Sequence, residues 1–203
     1  MAGRQRYDVH PGVAMVGKWT DELKAKSGRS VDEWVALIQS KGPKDTKARR
    51  EWLKREHSLG TNSAWWLVDR AEGAEDEGDP AVYLRQAGEF VEAMFAGSKA
   101  GLRPIYDALY DLARSFGDEI KISPGKTIVP IYRKHVIAQI RPATKTRLDF
   151  GYALKELPAK GRLIDTGGRA KGDRITHKIE LTSAQQVDDE VRKLLRKAYE
   201  LDA

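Results

Sequence analysis

The chain reads as an α+β protein, with a small all-helical N-terminal domain followed by an antiparallel sheet packed on helices. Three observations predict this. Apolar residues recur at helical spacing through the first third, and all five tryptophans lie before Arg70. Apolar and polar residues then alternate one by one between Glu119 and Tyr152 and again from Arg174 to Leu181, as in strands with one buried face. Between these regions Gly73-Ala-Glu-Asp-Glu-Gly-Asp-Pro80 is acidic and bounded by Gly and Pro, which makes it a linker. The expected division is a Trp-rich helical module at 1–72, the linker at 73–80 and an α+β domain at 81–203.

In the module, Trp19 and Leu23 stand one turn apart in a helix over Ala14–Lys26 that stops at Gly28. Ser30-Val-Asp-Glu33 has the spacing of a capping box, in which hydroxyl and carboxylate each satisfy a free backbone N–H. Val31, Trp34, Val35 and Ile38 follow along one face until Lys41-Gly42-Pro43. Asp45–His57 is the third helix, with Trp52 and Leu53 inward. Ser63–Ala71 is the fourth, preceded by a turn at Leu59–Asn62 with a capping hydroxyl. So small a unit buries little area per residue, and large aromatics supply its core. Trp65 and Trp66 are consecutive, so they point about 100° apart and cannot both serve one small core. They are the candidate contacts to a protein partner. Asp45–Ala71 resembles a helix-turn-helix in outline, but Arg70 is the only base on its second helix, and packing is the better account.

After the linker, Ala81–Phe95 and Arg103–Phe116 are amphipathic, the second with Pro104 in its first turn and Gly117 at its end. The strands follow. Pro130 argues for an edge or irregular position. In Lys134–Arg141, Val136, Ala138 and Ile140 oppose His135, Gln139 and Arg141, with Ile137 out of phase. Leu148, Phe150 and Tyr152 oppose Arg147 and Asp149, and Ile175, His177, Ile179 and Leu181 oppose Arg174, Thr176, Lys178 and Glu180. Lys160–Asp173 is a Gly-rich basic hairpin tip, expected to be mobile. Ser183 opens a terminal helix with an apolar stripe through Val187, Val191, Leu194, Ala198 and Leu201.

Two stretches carry a family resemblance. Ser27-Gly28-Arg29-Ser30-Val31-Asp32-Glu33-Trp34, Trp52-Leu53-Lys54-Arg55-Glu56-His57 and Trp65-Trp66 resemble the short bacterial module catalogued as domain of unknown function 4287. Leu102-Arg103-Pro104-Ile105-Tyr106-Asp107, the Lys126–Arg141 hairpin, Lys145–Gly151 and Arg196-Lys197-Ala198-Tyr199 resemble the bacterial family catalogued as domain of unknown function 5655. Together they cover nearly the whole chain. Neither resemblance implies catalytic residues.

No transition-metal site is expected, because the four histidines are dispersed and there is no His-Glu-x-x-His. His177 sits in an apolar row and reads as a hydrogen-bonded core histidine. Glu119-Ile120-Lys121 echoes the Glu-x-Lys of metal-dependent nucleases, but a second carboxylate is missing from neighbouring strands. Ser123-Pro124-Gly125-Lys126-Thr127 lacks phosphate-loop spacing and feeds a strand. Gly167, Gly168, Arg169 and Lys171 are candidates for an anion nest, with a plain hairpin tip the better reading.

What remains is charge. The chain carries a net +6, and the excess is uneven: 14 basic against 13 acidic residues over Met1–Gly78, 14 against 6 over Gly117–Lys178. Arg133, His135, Arg141, Lys145, Arg147, Arg174 and Lys178 are the candidate nucleic-acid-binding residues, on the polar side of the sheet and with Tyr132 near enough to stack on a base. The expected function is therefore a non-enzymatic binding or adaptor protein that engages DNA, RNA or another polyanion. A pocket for a small ligand between sheet and helices is the alternative, and a metal-dependent nuclease the third reading. No cofactor, catalytic residue or membrane partner is expected. Zero cysteines and the absence of a signal-like or spanning apolar run suit the cytoplasm.

Overall fold

The computed structural model describes residues 6–76 and 78–203, so Glu77 of the expected linker lies outside them. Two compact units emerge. One is Pro11–Tyr83; the other joins Leu84–Ala203 to the opening segment. The sequence expectation placed residues 6–10 in the first module, whereas Tyr7 hydroxyl bonds Tyr106 hydroxyl at 3.0 Å and the Asp8 carboxylate accepts from Arg114 and from Ile122 N–H. These partners belong to the second unit.

The helical unit contains α1 (Pro11–Ser27), α2 (Val31–Lys41), α3 (Thr46–His57) and α4 (Thr61–Ala71). The Ser30–Glu33 capping box forms as the spacing requires, with Ser30 N–H donating to Glu33 at 2.6 Å and Glu33 N–H to Ser30 Oγ at 3.3 Å. Asp45 caps α3 through Ala48 N–H at 2.8 Å. The capping hydroxyl expected for α4 does not form: the helix begins at Thr61 with Gly60 as its N-cap and no side-chain bond. Trp34, Ile38, Leu53, Leu67 and Val68 are fully enclosed, with Trp19, Trp52 and Trp66 packed around them.

In the second unit α5 (Pro80–Met94), which begins just before the division, runs to a 3-10 turn at Gly97–Leu102 and α6 (Arg103–Arg114). Six strands then form one antiparallel sheet, β1 (Lys121–Ile122), β2 (Val129–Tyr132), β3 (Val136–Pro142), β4 (Leu148–Tyr152), β5 (Ile164–Asp165) and β6 (His177–Leu181), in the order β1-β2-β3-β4-β6-β5. The inner face carries Val129, Ile131, Ala138, Ile140, Leu148, Phe150, Tyr152, Ile179 and Leu181, all fully buried, and α7 (Asp189–Leu201) lies against β3 and β4.

Several local expectations change. β2 is not an edge strand, yet Pro130 is tolerated for the edge reason. Ser123 N–H donates to its carbonyl, so its missing N–H faces the side where β1 has only two residues to offer. Ile137 is out of phase because the β2–β3 register slips between Ile131 and Tyr132, a bulge that turns Ile137 inward. The terminal helix starts later than Ser183. A 3-10 turn at Ala184–Gln186, closed by a Ser183–Gln186 capping box, precedes the Asp188 cap of α7, and the buried stripe is Val191, Leu195 and Ala198, with Leu194 half-buried beside it. The Gly-rich tip contains β5 and a 3-10 turn at Arg169–Lys171. Among the described residues no helix is long and apolar enough to cross a membrane.

Candidate functional site

Six of the seven predicted basic residues fall into two groups, and Lys145 stands apart in the β3–β4 turn. Arg133, His135 and Arg174 gather near the C-terminal end of α7. The buried Asp202 carboxylate accepts from Lys134 N–H at 2.9 Å and His135 N–H at 2.8 Å, lies 3.0 Å from His135 Nδ1, and pairs with Arg174. Burial would raise its pKa, but the two amides, the imidazole and Arg174 hold it below the usual carboxylate range. Arg133 lies over the Tyr199 ring at 4.1 Å and donates to Glu119 at 3.0 Å and to the Tyr199 carbonyl at 3.1 Å. These residues tie the β2–β3 turn to the end of α7, a structural task.

Arg141, Arg147 and Lys178 share the outer sheet face. Arg141 opposes Asp149, which opposes Glu180, while Gly151 opposes Lys178. Asp149 is 3% exposed although it points away from the core, because three cations enclose it: Lys178 Nζ at 3.0 Å, Arg141 Nη2 at 3.1 Å and Arg147 Nε at 3.1 Å. The last contact is Coulombic only, since its atoms do not meet in hydrogen-bond geometry. Glu180 takes Lys178 at 2.7 Å and Arg147 at 3.1 Å. Burial pushes the Asp149 carboxyl up, but the bonds from Lys178 and Arg141 and the charge of Arg147 outweigh it and hold the pKa down. The Glu180 bond and the Asp149 carboxylate raise the Lys178 pKa against its partial burial. The face is less basic than its Lys and Arg count implies, since two carboxylates are built into it.

Two clefts flank this cluster. The first, about 740 Å³, lies over Gln139, Gly151 and Ile175 and carries Arg141, Lys171, Arg174 and Lys178 against Asp149, Asp165 and Asp173. The second, about 690 Å³, is lined by Lys99, Lys126, Arg141 and Arg147 with the Ser98 and Thr127 hydroxyls, and no carboxylate. Arg141 belongs to both and its side chain is 52% exposed. Sequence reasoning missed Lys99 and Lys126, because one lies in a 3-10 turn and the other in the loop before β2. Lys145 is exposed in the β3–β4 turn.

Other candidates resolve locally. The Gly167 and Gly168 amides are already taken, by the Asp165 carboxylate at 2.7 Å and Thr166 Oγ1 at 3.2 Å, so they form no anion nest. His177 is 2% exposed with Nδ1 2.8 Å from Thr176 Oγ1, a satisfied core histidine. Glu119 accepts from Tyr199 and Arg133 through a single oxygen. Among the described residues no cluster of three or more His, Asp or Glu side chains is arranged to hold a metal ion. The Tyr132 hydroxyl lies 3.0 Å from His10 Nε2. Over the inner face Phe150 and Tyr152 pack ring to ring at 4.7 Å and are fully buried, so these two rings line core and not a pocket. In the helical unit Trp66 packs edge-on against Trp19 at 5.0 Å, whereas Trp65 is 50% exposed under Arg50.

A family model described as Domain of unknown function (DUF5655) matches residues 91–202, and one described as Domain of unknown function (DUF4287) matches residues 17–73. No curated protein and no solved structure matches the chain.

Proposed function

The chain belongs to the family described as Domain of unknown function (DUF5655), and we propose that its sheet domain is a binding module, not an enzyme, that engages the phosphate backbone of nucleic acid across the outer face. The observation that carries this reading is Arg141, half-exposed and common to both clefts. Lys99, Lys126, Arg147 and Lys178 extend the positive charge on either side of it. Asp149 and Glu180 hold Arg147 and Lys178 in fixed positions, which reduces the side-chain entropy lost when they meet phosphates.

Contacts of this kind read backbone and not bases. With five cations against two carboxylates the face has about three charges to offer, for an expected salt slope near −2 on single strands. Fluorescence anisotropy with labelled DNA and RNA at low salt tests it. Binding should weaken about tenfold or more for Arg141→Glu. No binding to either nucleic acid, or unchanged affinity in that variant, removes the reading. In the helical unit the exposed Trp65, and not the packed Trp66, is the residue assigned to a protein partner.

A further inference from the structure

The cleft bounded by Lys99, Lys126, Arg141 and Arg147 is unlike the rest of the outer face, because its walls hold four cations and no carboxylate. Asp149 and Glu180 stand behind its two arginines. Among the described residues the two lysines meet no such counterweight: Lys99 Nζ donates to the Pro142 carbonyl at 3.4 Å, and Lys126 Nζ lies 6.0 Å from the centre of the Phe90 ring. Ser98 and Thr127 add hydroxyl donors, and Met94 and Pro142 give an apolar wall.

A phosphodiester brings one negative charge to such a site. A phosphate monoester brings about −1.5 to −2 at neutral pH together with three acceptor oxygens. Two lysines beside two arginines that Asp149 and Glu180 offset only in part leave about two positive charges on one cleft, which suits the second better. We infer that this cleft recognises a phosphate monoester, the group found at a phosphorylated strand end or on a free nucleotide. The inference rests on the reading of the outer face as a nucleic-acid surface: the strand would leave its terminal phosphate here and pass Arg141 toward the neighbouring cleft. The cleft volume of about 690 Å³ leaves room for a sugar and base beside the phosphate.

The experiment compares one oligonucleotide with a terminal phosphate and the same one with a terminal hydroxyl, each labelled at its far end, by anisotropy. The phosphorylated strand should bind about tenfold more tightly. In the Lys99→Ala/Lys126→Ala double variant that ratio should fall to near one. Equal affinities for the two strands, or a ratio that survives in the double variant, overturn the inference. If neither strand binds, the nucleic-acid reading fails by itself, and calorimetry with adenosine monophosphate decides the cleft separately. Binding lost in the double variant identifies a free nucleotide as the source of the phosphate; no binding overturns the site.

Discussion

Arg141 and Asp149 are register partners across β3 and β4, and their side chains meet at 3.1 Å on the outer face of the sheet. The pair makes opposite demands on stability and on binding. Asp149 is enclosed by Arg141, Arg147 and Lys178, so removing its charge leaves three cations facing one another. Asp149→Asn should destabilise the domain by about 3 kcal/mol, the usual scale for breaking a buried ion pair from one side. The pH dependence has a definite sign. The folded pKa lies below the ordinary value of 3.8, so the carboxylate's contribution is complete above that value and is lost as pH falls through the folded pKa. Wild type and variant should therefore differ by a constant amount in urea melts at neutral pH and converge below about pH 4. A gap that persists under strong acid would show that the charge is not its source.

The same substitution should strengthen polyanion binding. Removing one of two carboxylates among five cations raises the net charge of the face from about three to four, which steepens the salt dependence by roughly one phosphate contact. At low salt Asp149→Asn should bind DNA more tightly than wild type while being less stable. Weaker binding would mean that Asp149 acts chiefly by positioning Arg141.

Gly151 shows how closely the face is built. A Cβ there would stand 2.7 Å from Ile175 Cγ2 and 3.1 Å from Gln139 Cγ. Gly151→Ala should cost about 2 kcal/mol through overpacking, and Ile175→Ala in the same chain should recover most of it, because the methyl that blocks the space is gone. A double-mutant cycle by chemical denaturation measures the coupling. Additive losses would place the strain elsewhere.

Much of this was legible in the sequence, and the gaps have physical causes. Alternation through Leu148, Phe150 and Tyr152 located β4 and sorted its faces, because period-two patterning survives wherever one face is buried. The Ser30 capping box was local chemistry and formed as written. The bulge at Ile137 showed only as a break in pattern, since a register slip is set by the partner strand. Alternation placed Arg141, Arg147 and Lys178 on one face, and Asp149 and Glu180 with them, but not the pairing that tames the cations: Asp149 meets Arg141 and Glu180 only through strand register. Lys99 and Lys126 belong to no periodic element, so no pattern could bring them to the cleft they share with Arg141. Arg133 and His135 counted as free charge in the sequence, whereas the chain end folds back to bind them through Asp202 and Tyr199.

Trp65 and Trp66 give the last prediction, because neighbouring residues on one helix face opposite fates. Trp66 packs against Trp19 at 5.0 Å within the helical unit, so Trp66→Ala should open a cavity and cost about 3 kcal/mol. Trp65 is half-exposed, and its intramolecular support is the Arg50 guanidinium 5.0 Å from the ring centre. Trp65→Ala should cost no more than about 1 kcal/mol, the scale of one exposed cation–π contact. All five tryptophans lie in this unit, so fluorescence excited selectively at tryptophan, where tyrosine does not absorb, follows it during urea unfolding without a signal from the sheet domain. Equal losses in the two variants would make Trp65 a core residue and withdraw it as a partner contact. Near wild-type stability of Trp65→Ala would show that the fold does not need this indole, so that loss of a protein partner in the variant reads as lost contact and not as unfolding.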